Sequence, residues 1–345
     1  MKYPYPIVAH IEPSQDFNSR KIITDDMCDT VFISSLLLED DYCDMLPRVT
    51  QYGIKHALED KCRVIVVEGT NDFWMRDYMP VQLTEDTFWY FTFNPDYMQC
   101  KSKLPRITNY KDIPKLNKIV PNDFFDVNSQ KSATIVDGSN VVKCDDFIIM
   151  TDKVFIENRN IHPMIYKETD KYEPISWAKL KYEIGVDIVV IPREPKDRYG
   201  HADGLVRYAG SNRILLRAAQ SEEDKLFLNT VKETILRQKP GLEIIQFEFD
   251  YISDNLKDIR AYNNCYINYL RVGNVIVVPM LSHYEIDRKW EEVYVFTPDD
   301  QKALDQLHKW FPECEIFGLT MYDMVSIFPH GWGLNSLTWT IKSHK

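Results

Sequence analysis

One pattern recurs along the chain and restricts its fold more than any other feature: an amphipathic helix, a short apolar strand, a polar loop and a second strand. The clearest copy opens at Thr297, an N-cap residue ahead of Pro298 in the first helical position. Acidic Asp299 and Asp300 follow, and Leu304, Leu307 and Phe311 share one face. Pro312 closes that helix, and Cys314–Leu319 reads as a strand. A second copy opens at Ser221, where Asp224 completes a capping-box spacing. Leu228, Val231 and Ile235 form its stripe, Pro240-Gly241 stops it, and Leu242–Phe247 is the strand. The Thr50–Asp60 and Trp177–Ile184 segments lead in the same way into Val64–Val67 and Ile188–Ile191. The loops return through Phe88–Phe93, Ile214–Arg217, Val275–Met280 and Leu337–Lys342, and a fifth, weaker unit is read around Ala133–Val136 and Phe147–Met150.

A period of roughly 55 to 80 residues is too long and irregular for a short-repeat solenoid, so the pattern predicts closed radial repetition in an α/β fold. Chemistry then belongs where the loops converge on the axis. All 345 residues are read as one domain, 1–345.

Charge narrows the partners. The chain carries 52 acidic against 41 basic residues, a net −11, which disfavours nucleic acid and anionic membranes because both demand a basic field. No run of ~18 apolar residues is present, and the segment MKYPYPIVAHIEPSQD lacks the apolar stretch of a secretory signal. The seven cysteines are scattered, without CxxC or Cys/His zinc spacing. They read as reduced, mostly buried thiols of a cytoplasmic protein, and no metal is expected.

Three loops hold unusual polar residues: Asn71–Pro80, with Trp74, Arg76 and Asp77; Gly200–Tyr208, with Gly-His-x-Asp-Gly around His201 and Asp203; and His330–Thr338, with Trp332, Asn335 and Ser336. An isolated Arg-Asp pair is usually a surface salt bridge, and a lone histidine is often structural. Glycines on both sides of His201 and Asp203, however, free the backbone to aim an imidazole and a carboxylate into one cavity. Such loops also sit at equivalent points of the repeated module.

These residues resemble the agmatine deiminase and bacterial peptidylarginine deiminase family over roughly Asp60 to Lys345. The resemblance rests on Asn-x-x-Trp-x-Arg-Asp-x-x-Pro at Asn71–Pro80, Asp-Gly-x-Asn at Asp137–Asn140 and Gly-His-x-Asp-Gly at Gly200–Gly204. Tyr-x-Asn-Tyr with Gly-Asn-x-x-x-x-Pro across Tyr266–Pro279 and the glycine-rich C-terminal loop complete it. It implies a five-bladed α/β propeller of ββαβ units, the pentein fold, and hydrolysis of a guanidinium to a ureido product and ammonia without cofactor. Asp77 and Asp203, with Trp74 beside them, would bind the planar cation through paired hydrogen bonds. His201, oriented by Asp137, would be the general acid and base. Agmatine, arginine and peptidyl arginine all carry the required group.

The family's last loop looks like Gly-Gly-Gly-x-His-Cys, whereas this chain has Trp332 for a glycine, Asn335 for the histidine and Ser336 for the nucleophilic cysteine. A serine hydroxyl is far less acidic than a thiol and needs a dedicated base. Three readings follow: an engineered Ser336, a Ser336-His201-Asp203 hydrolase, or a degenerate deiminase that binds guanidinium without turnover. The changes beside Ser336 count against the first and the need for Asp203 in guanidinium pairing against the second, so the last is favoured, and activity is expected to be absent or strongly impaired. Trp332 is further expected to narrow the pocket.

Overall fold

The computed structural model describes residues 21–38, 48–98, 132–158, 175–195, 197–250, 259–286, 292–320 and 333–343. Why the helices form where they do is visible at Glu222–Gln238. Ser221 Oγ accepts the Asp224 N–H at 3.1 Å, three acidic residues occupy the first turn, and Leu228, Val231 and Ile235 are fully buried. Gly241, at φ +92°, then turns the chain in a conformation that favours glycine. The helix Pro298–Trp310 starts differently from expectation. Thr297 makes no side-chain cap bond, and Asp300 faces inward, accepting the Tyr266 hydroxyl at 2.7 Å and the N–H groups of Leu281 and Ser282.

Four sheets share one construction: an antiparallel pair, a helix, and a third strand running parallel to the second. Val206–Gly210 pairs with Arg213–Leu216, and after the helix Glu243–Gln246 lies parallel to the latter. Val142–Lys143, Phe147–Thr151 and Asp187–Ile191 repeat this, as do Leu270–Val272, Val275–Met280 and Glu315–Thr320. The fourth sheet takes Thr338–Ile341 from one end of the sequence and pairs it with Thr30–Ser34 from the other, with Arg63–Val67 parallel outside. A fifth, smaller arrangement joins Val81–Gln82 to Phe88–Trp89, and a parallel bridge links Thr92 to Ile135.

Three strand assignments therefore change. The strand after each polar loop pairs with strands of the following unit rather than with the strand before the loop. Ala133–Val136 meets Thr92, while Phe147–Thr151 belongs to a different sheet, so they are not one unit. Phe88–Phe93 shortens to Phe88–Trp89 plus the bridge at Thr92. Apolar periodicity marks a strand but not its partner, which long-range packing decides.

Every first strand is entered through a short turn: Met75–Tyr78, Gly138–Asn140, Ala202–Gly204, the end of Ile259–Asn268, and Leu334–Leu337. Each turn touches the next in that order, and the last touches the first, so the five form a closed cycle. In this mixed α/β architecture the turns bring all five units together. Among the described residues, no helix is long and apolar enough to cross a membrane.

Candidate active site

The turn Met75–Tyr78 sends two charged neighbours in different directions. Asp77, 2% exposed, accepts the Ser139 N–H at 3.4 Å and lies 4.0 Å from His201 Nδ1. Arg76 donates from Nε to the Asn335 carbonyl at 2.7 Å, tying the first turn to the last. Trp74, just ahead of the turn, is half-buried with its ring against Phe73, 4.8 Å between centroids.

Gly138 explains the glycine after Asp137: a Cβ there would lie 1.9 Å from the Arg76 carbonyl oxygen. The third position of that motif needs only a backbone N–H for Asp77, which Ser139 supplies. Asn140 Oδ1 accepts from the Thr151 N–H and hydroxyl, both at 2.9 Å, and from the Ala202 N–H at 3.2 Å, so it fastens the second turn to the third.

His201 Nε2 lies 2.8 Å from Asp137 Oδ2, and both side chains are buried. Lys153 Nζ reaches the same oxygen at 2.6 Å and Glu157 at 3.2 Å, and stands 4.6 Å over the Tyr97 ring. Neither Lys153 nor Glu157 was anticipated. In sequence they are an i,i+4 pair, which ordinarily reads as a solvated helix face. Here their side chains are 2% and 3% exposed.

On the far side of the cycle, Asp203 Oδ2 accepts the Asn335 amide at 2.6 Å and the Ser336 hydroxyl at 3.3 Å. The Ser336 hydroxyl is also 3.3 Å from Asn268 Oδ1, which accepts the Ser336 N–H at 3.1 Å. Asn268, carried at the end of Ile259–Asn268, is a site residue that the Tyr-x-Asn-Tyr signal contained but did not single out. The structure thus brings Asp77, Asp137 and His201 into one group and Asp203, Asn335 and Ser336 into an adjoining one. Trp332 lies outside the described residues.

Burial and charge set the protonation states. Burial alone would raise Asp137, but Lys153 and the His201 imidazole overcome it and hold the carboxyl at about 2. Burial, with Asp137 and Asp203 nearby, pushes Asp77 up to about 7 against the opposing pull of His201. Glu157 rises to about 8, chiefly by burial and then by Asp137. His201 is lowered by burial yet reaches about 9 through Asp77 and Asp137. At neutral pH the imidazole is a cationic donor between two carboxylates.

Several buried polar atoms here lack a hydrogen-bond partner among the described residues: Asp137 Oδ1, Ser139 Oγ, Asn268 Nδ2 and Asn335 Oδ1. Buried polar atoms are normally satisfied, so the site is suited to a polar ligand. The described cysteines are free thiols: Cys62 is half-buried, while Cys28, Cys144, Cys265 and Cys314 are buried. Burial raises Cys28 to about 11 and Cys265 well above the ordinary range, which disfavours the thiolate. Cys43 and Cys100 lie outside the described residues. No group of three or more His, Cys, Asp or Glu among the described residues is arranged to hold a metal ion.

Residues 44–331 match the family model of the Porphyromonas-type peptidyl-arginine deiminase. No curated protein matches the sequence. Among solved structures, the fold is similar to a Cys-to-Ser variant of C. jejuni agmatine deiminase with substrate bound. It has 18% identity and a TM-score of 0.62, covering 93% of this chain and 95% of that one. The agmatine deiminase of Enterococcus faecalis is similar at 14% identity and TM-score 0.61, over 96% of this chain and 100% of that one. A Cys-to-Ser dimethylarginine dimethylaminohydrolase (DDAH) from Pseudomonas aeruginosa, complexed with citrulline, is more distant. Its identity is 10% and its TM-score 0.50, with coverages of 91% and 100%.

Proposed function

The chain belongs to the Porphyromonas-type peptidyl-arginine deiminase family, and from that premise we propose that it binds a guanidinium ligand but hydrolyses it slowly or not at all. The observation that carries this reading is the environment of Ser336. Its hydroxyl is buried and hydrogen-bonded to Asp203 and Asn268, while the two ring nitrogens of His201 face Asp137 and Asp77. A Ser336-His201-Asp203 hydrolase needs the imidazole on the serine hydroxyl with the carboxylate behind the imidazole, and here the carboxylate meets the hydroxyl directly. The arrangement therefore supports a degenerate site over a Ser336-His201-Asp203 hydrolase.

In this reading residues 1–345 form one five-bladed propeller, for which the cycle of five turns is the support, and the site lies at its axis. Asp77 and Asp203 are the arms that pair with the N–H groups of the ligand. His201, oriented by Asp137, is the retained acid that would protonate departing ammonia. In an active relative a thiolate attacks the central carbon first; without that step the acid has nothing to assist. Two solved structures of related fold, both Cys-to-Ser variants, hold substrate or citrulline, so a filled site is compatible with a missing thiol in those proteins.

The test pairs turnover with binding. Ammonia and ureido product are measured with agmatine, free arginine and a peptide ending in arginine, and affinity is measured by calorimetry for each. Binding without turnover is expected, and Asp203→Ala should abolish the binding. Turnover at an ordinary ~1 per second or faster would refute the proposal and make Ser336 a working nucleophile.

A further inference from the structure

Below the cycle of turns, the first strands of three units each carry a basic residue at an equivalent position. Lys143, Arg207 and Arg271 lie three residues beyond Asn140, Gly204 and Asn268, and sit opposite Ile148, Leu215 and Ile276 in their antiparallel pairs. With Arg76, they line a small cavity whose walls also include Asp25 and Asp26, roofed by Asp203 and Asn335. All four cations are at least nine-tenths buried. In a chain of net charge −11, such a concentration of buried positive charge is not a solubility device.

The carboxylates near the cavity do not answer it fully. Asp25 pairs with Arg207 at 3.0 Å and Lys143 at 3.2 Å, and these cations hold its carboxyl well below the usual range in spite of burial. Asp203 Oδ2 is occupied by Asn335 and Ser336, and Asp26 accepts the Thr24 hydroxyl. Among the described residues, Arg76 has no carboxylate at ion-pair distance, and its guanidinium meets only the Asn335 carbonyl and the Thr340 hydroxyl. Among the described residues, Arg271 has only Glu313, 3.9 Å away on an exposed side chain. Asp25 and Asp203 act on Arg76 only from beyond contact distance, Asp25 through the Thr340 hydroxyl. A buried guanidinium with no carboxylate on its fork is costly, and that planar fork suits an oxyanion.

We propose that this cavity is a binding site for a small oxyanion, held between Arg76 and Arg271 with Lys143 and Arg207 alongside. It adjoins the proposed guanidinium site, with which it shares Asp203, and differs from it in charge preference. The two share the Arg76–Asn335 hydrogen bond as a wall, so an oxyanion bound below would secure the last turn from beneath.

The probe is inorganic phosphate, titrated into the full chain by calorimetry and followed by phosphorus NMR line broadening, at constant ionic strength held with sodium chloride. Saturable one-to-one binding is expected, weakened about tenfold or more in Arg271→Gln, where the fork is lost. Asp77→Asn, which alters the guanidinium site, should leave phosphate affinity within about twofold of the parent. Because Arg271 stacks over Phe311, Lys143→Gln serves as the second variant if the first does not fold, and it should weaken phosphate in the same sense. Non-saturable binding, binding equally mimicked by chloride, or unchanged affinity in the folded Arg271 and Lys143 variants would overturn the proposal. Loss of guanidinium binding with phosphate binding intact would count against the function proposed above and not against this site.

Discussion

Raising the pH from 6 to 8 should destabilise the fold, and the size of the loss follows from three buried groups. Asp77, Glu157 and His201 keep their protons to about 7, 8 and 9 in the folded chain, against ordinary values of 3.8, 4.5 and 6.5. Across this window the folded chain therefore binds more protons than the unfolded one, and stability must fall as pH rises. For His201, the stabilisation is complete below 6.5 and disappears through about 9. For the two carboxyls, the loss begins above the unfolded values and ends at the folded ones. Asp137, held at about 2, has the opposite sign but acts only below pH 4. One proton is worth ~1.4 kcal/mol per pH unit, so Glu157 alone accounts for about 2 to 3 kcal/mol over this window. Asp77 and His201, 4.0 Å apart, favour each other's charged forms. Counting them as one retained proton gives a total of roughly 3 to 5 kcal/mol. Urea unfolding followed by circular dichroism at half-unit pH steps and fixed ionic strength measures this directly. Glu157→Gln should remove about half of the slope. A stability that is flat or rises from pH 6 to 8, or an unchanged slope in Glu157→Gln, would refute the assignment of these protons.

Lys153→Met, which takes the ammonium away from the buried Asp137 carboxylate, should cost about 3 kcal/mol in urea unfolding, with full stability at every pH as the contrary result. Gly138→Ala forces the Arg76 carbonyl aside and should cost about 1–3 kcal/mol while weakening guanidinium binding by calorimetry; an affinity equal to the parent's would contradict that role for the turn. Ser221→Ala should lower stability by about 1 kcal/mol through loss of the Asp224 cap, read from the same unfolding curves. Trp332→Gly with Asn335→His and Ser336→Cys should raise ammonia release from agmatine or a peptidyl arginine above that of the parent. Ser336→Cys alone should achieve less.

The polar turns were legible in sequence because glycine and paired polar residues punctuate apolar runs, and that is how Asp77, His201 and Asp203 stand out. The helices at Ser221 and Pro298 were legible for a similar local reason, in the Ser221 cap, the proline at the first helical position of the other, and the apolar stripe of each. The inner strands were not. Val142–Lys143 and Leu270–Val272 are only 2 and 3 residues long, too short for alternation to register, and Val206–Gly210 follows directly on the polar Gly-His-x-Asp-Gly loop. Each carries a charged residue that lines the cavity below the turns. Lys153 was hidden differently: spacing alone cannot distinguish a buried i,i+4 ion pair from an exposed one. Asn140 and Asn268 act through hydrogen bonds to other units, and nothing local in the sequence specifies those partners.

The two replacements at Asn335 and Ser336 make more physical sense together than apart. Both donate to the same oxygen of Asp203, at 2.6 and 3.3 Å. Neither donor carries a charge, so together they hold the carboxylate in place without cancelling its attraction for a cation. Asn335 also receives Arg76 on its carbonyl, which links the arm at Asp203 to the turn that bears Asp77. The side-chain amide thus braces Asp203, while the backbone carbonyl of the same residue ties its turn to the one that bears Asp77. Under the proposed function, a serine at the nucleophile position removes the first chemical step, whereas the acid at His201 and the carboxylates act on later steps or on binding. A chain that loses attack but keeps its braces should retain affinity and lose turnover, because binding is set by the arms and rate by the nucleophile. The separation can be observed in one protein: Asn335→Ala should weaken a guanidinium ligand about tenfold or more by loosening Asp203, while Ser336→Ala should leave affinity within a few-fold of the parent. If Ser336→Ala instead abolished binding, the hydroxyl would be a principal ligand contact, and the division between braced arms and a silent nucleophile position would have to be abandoned.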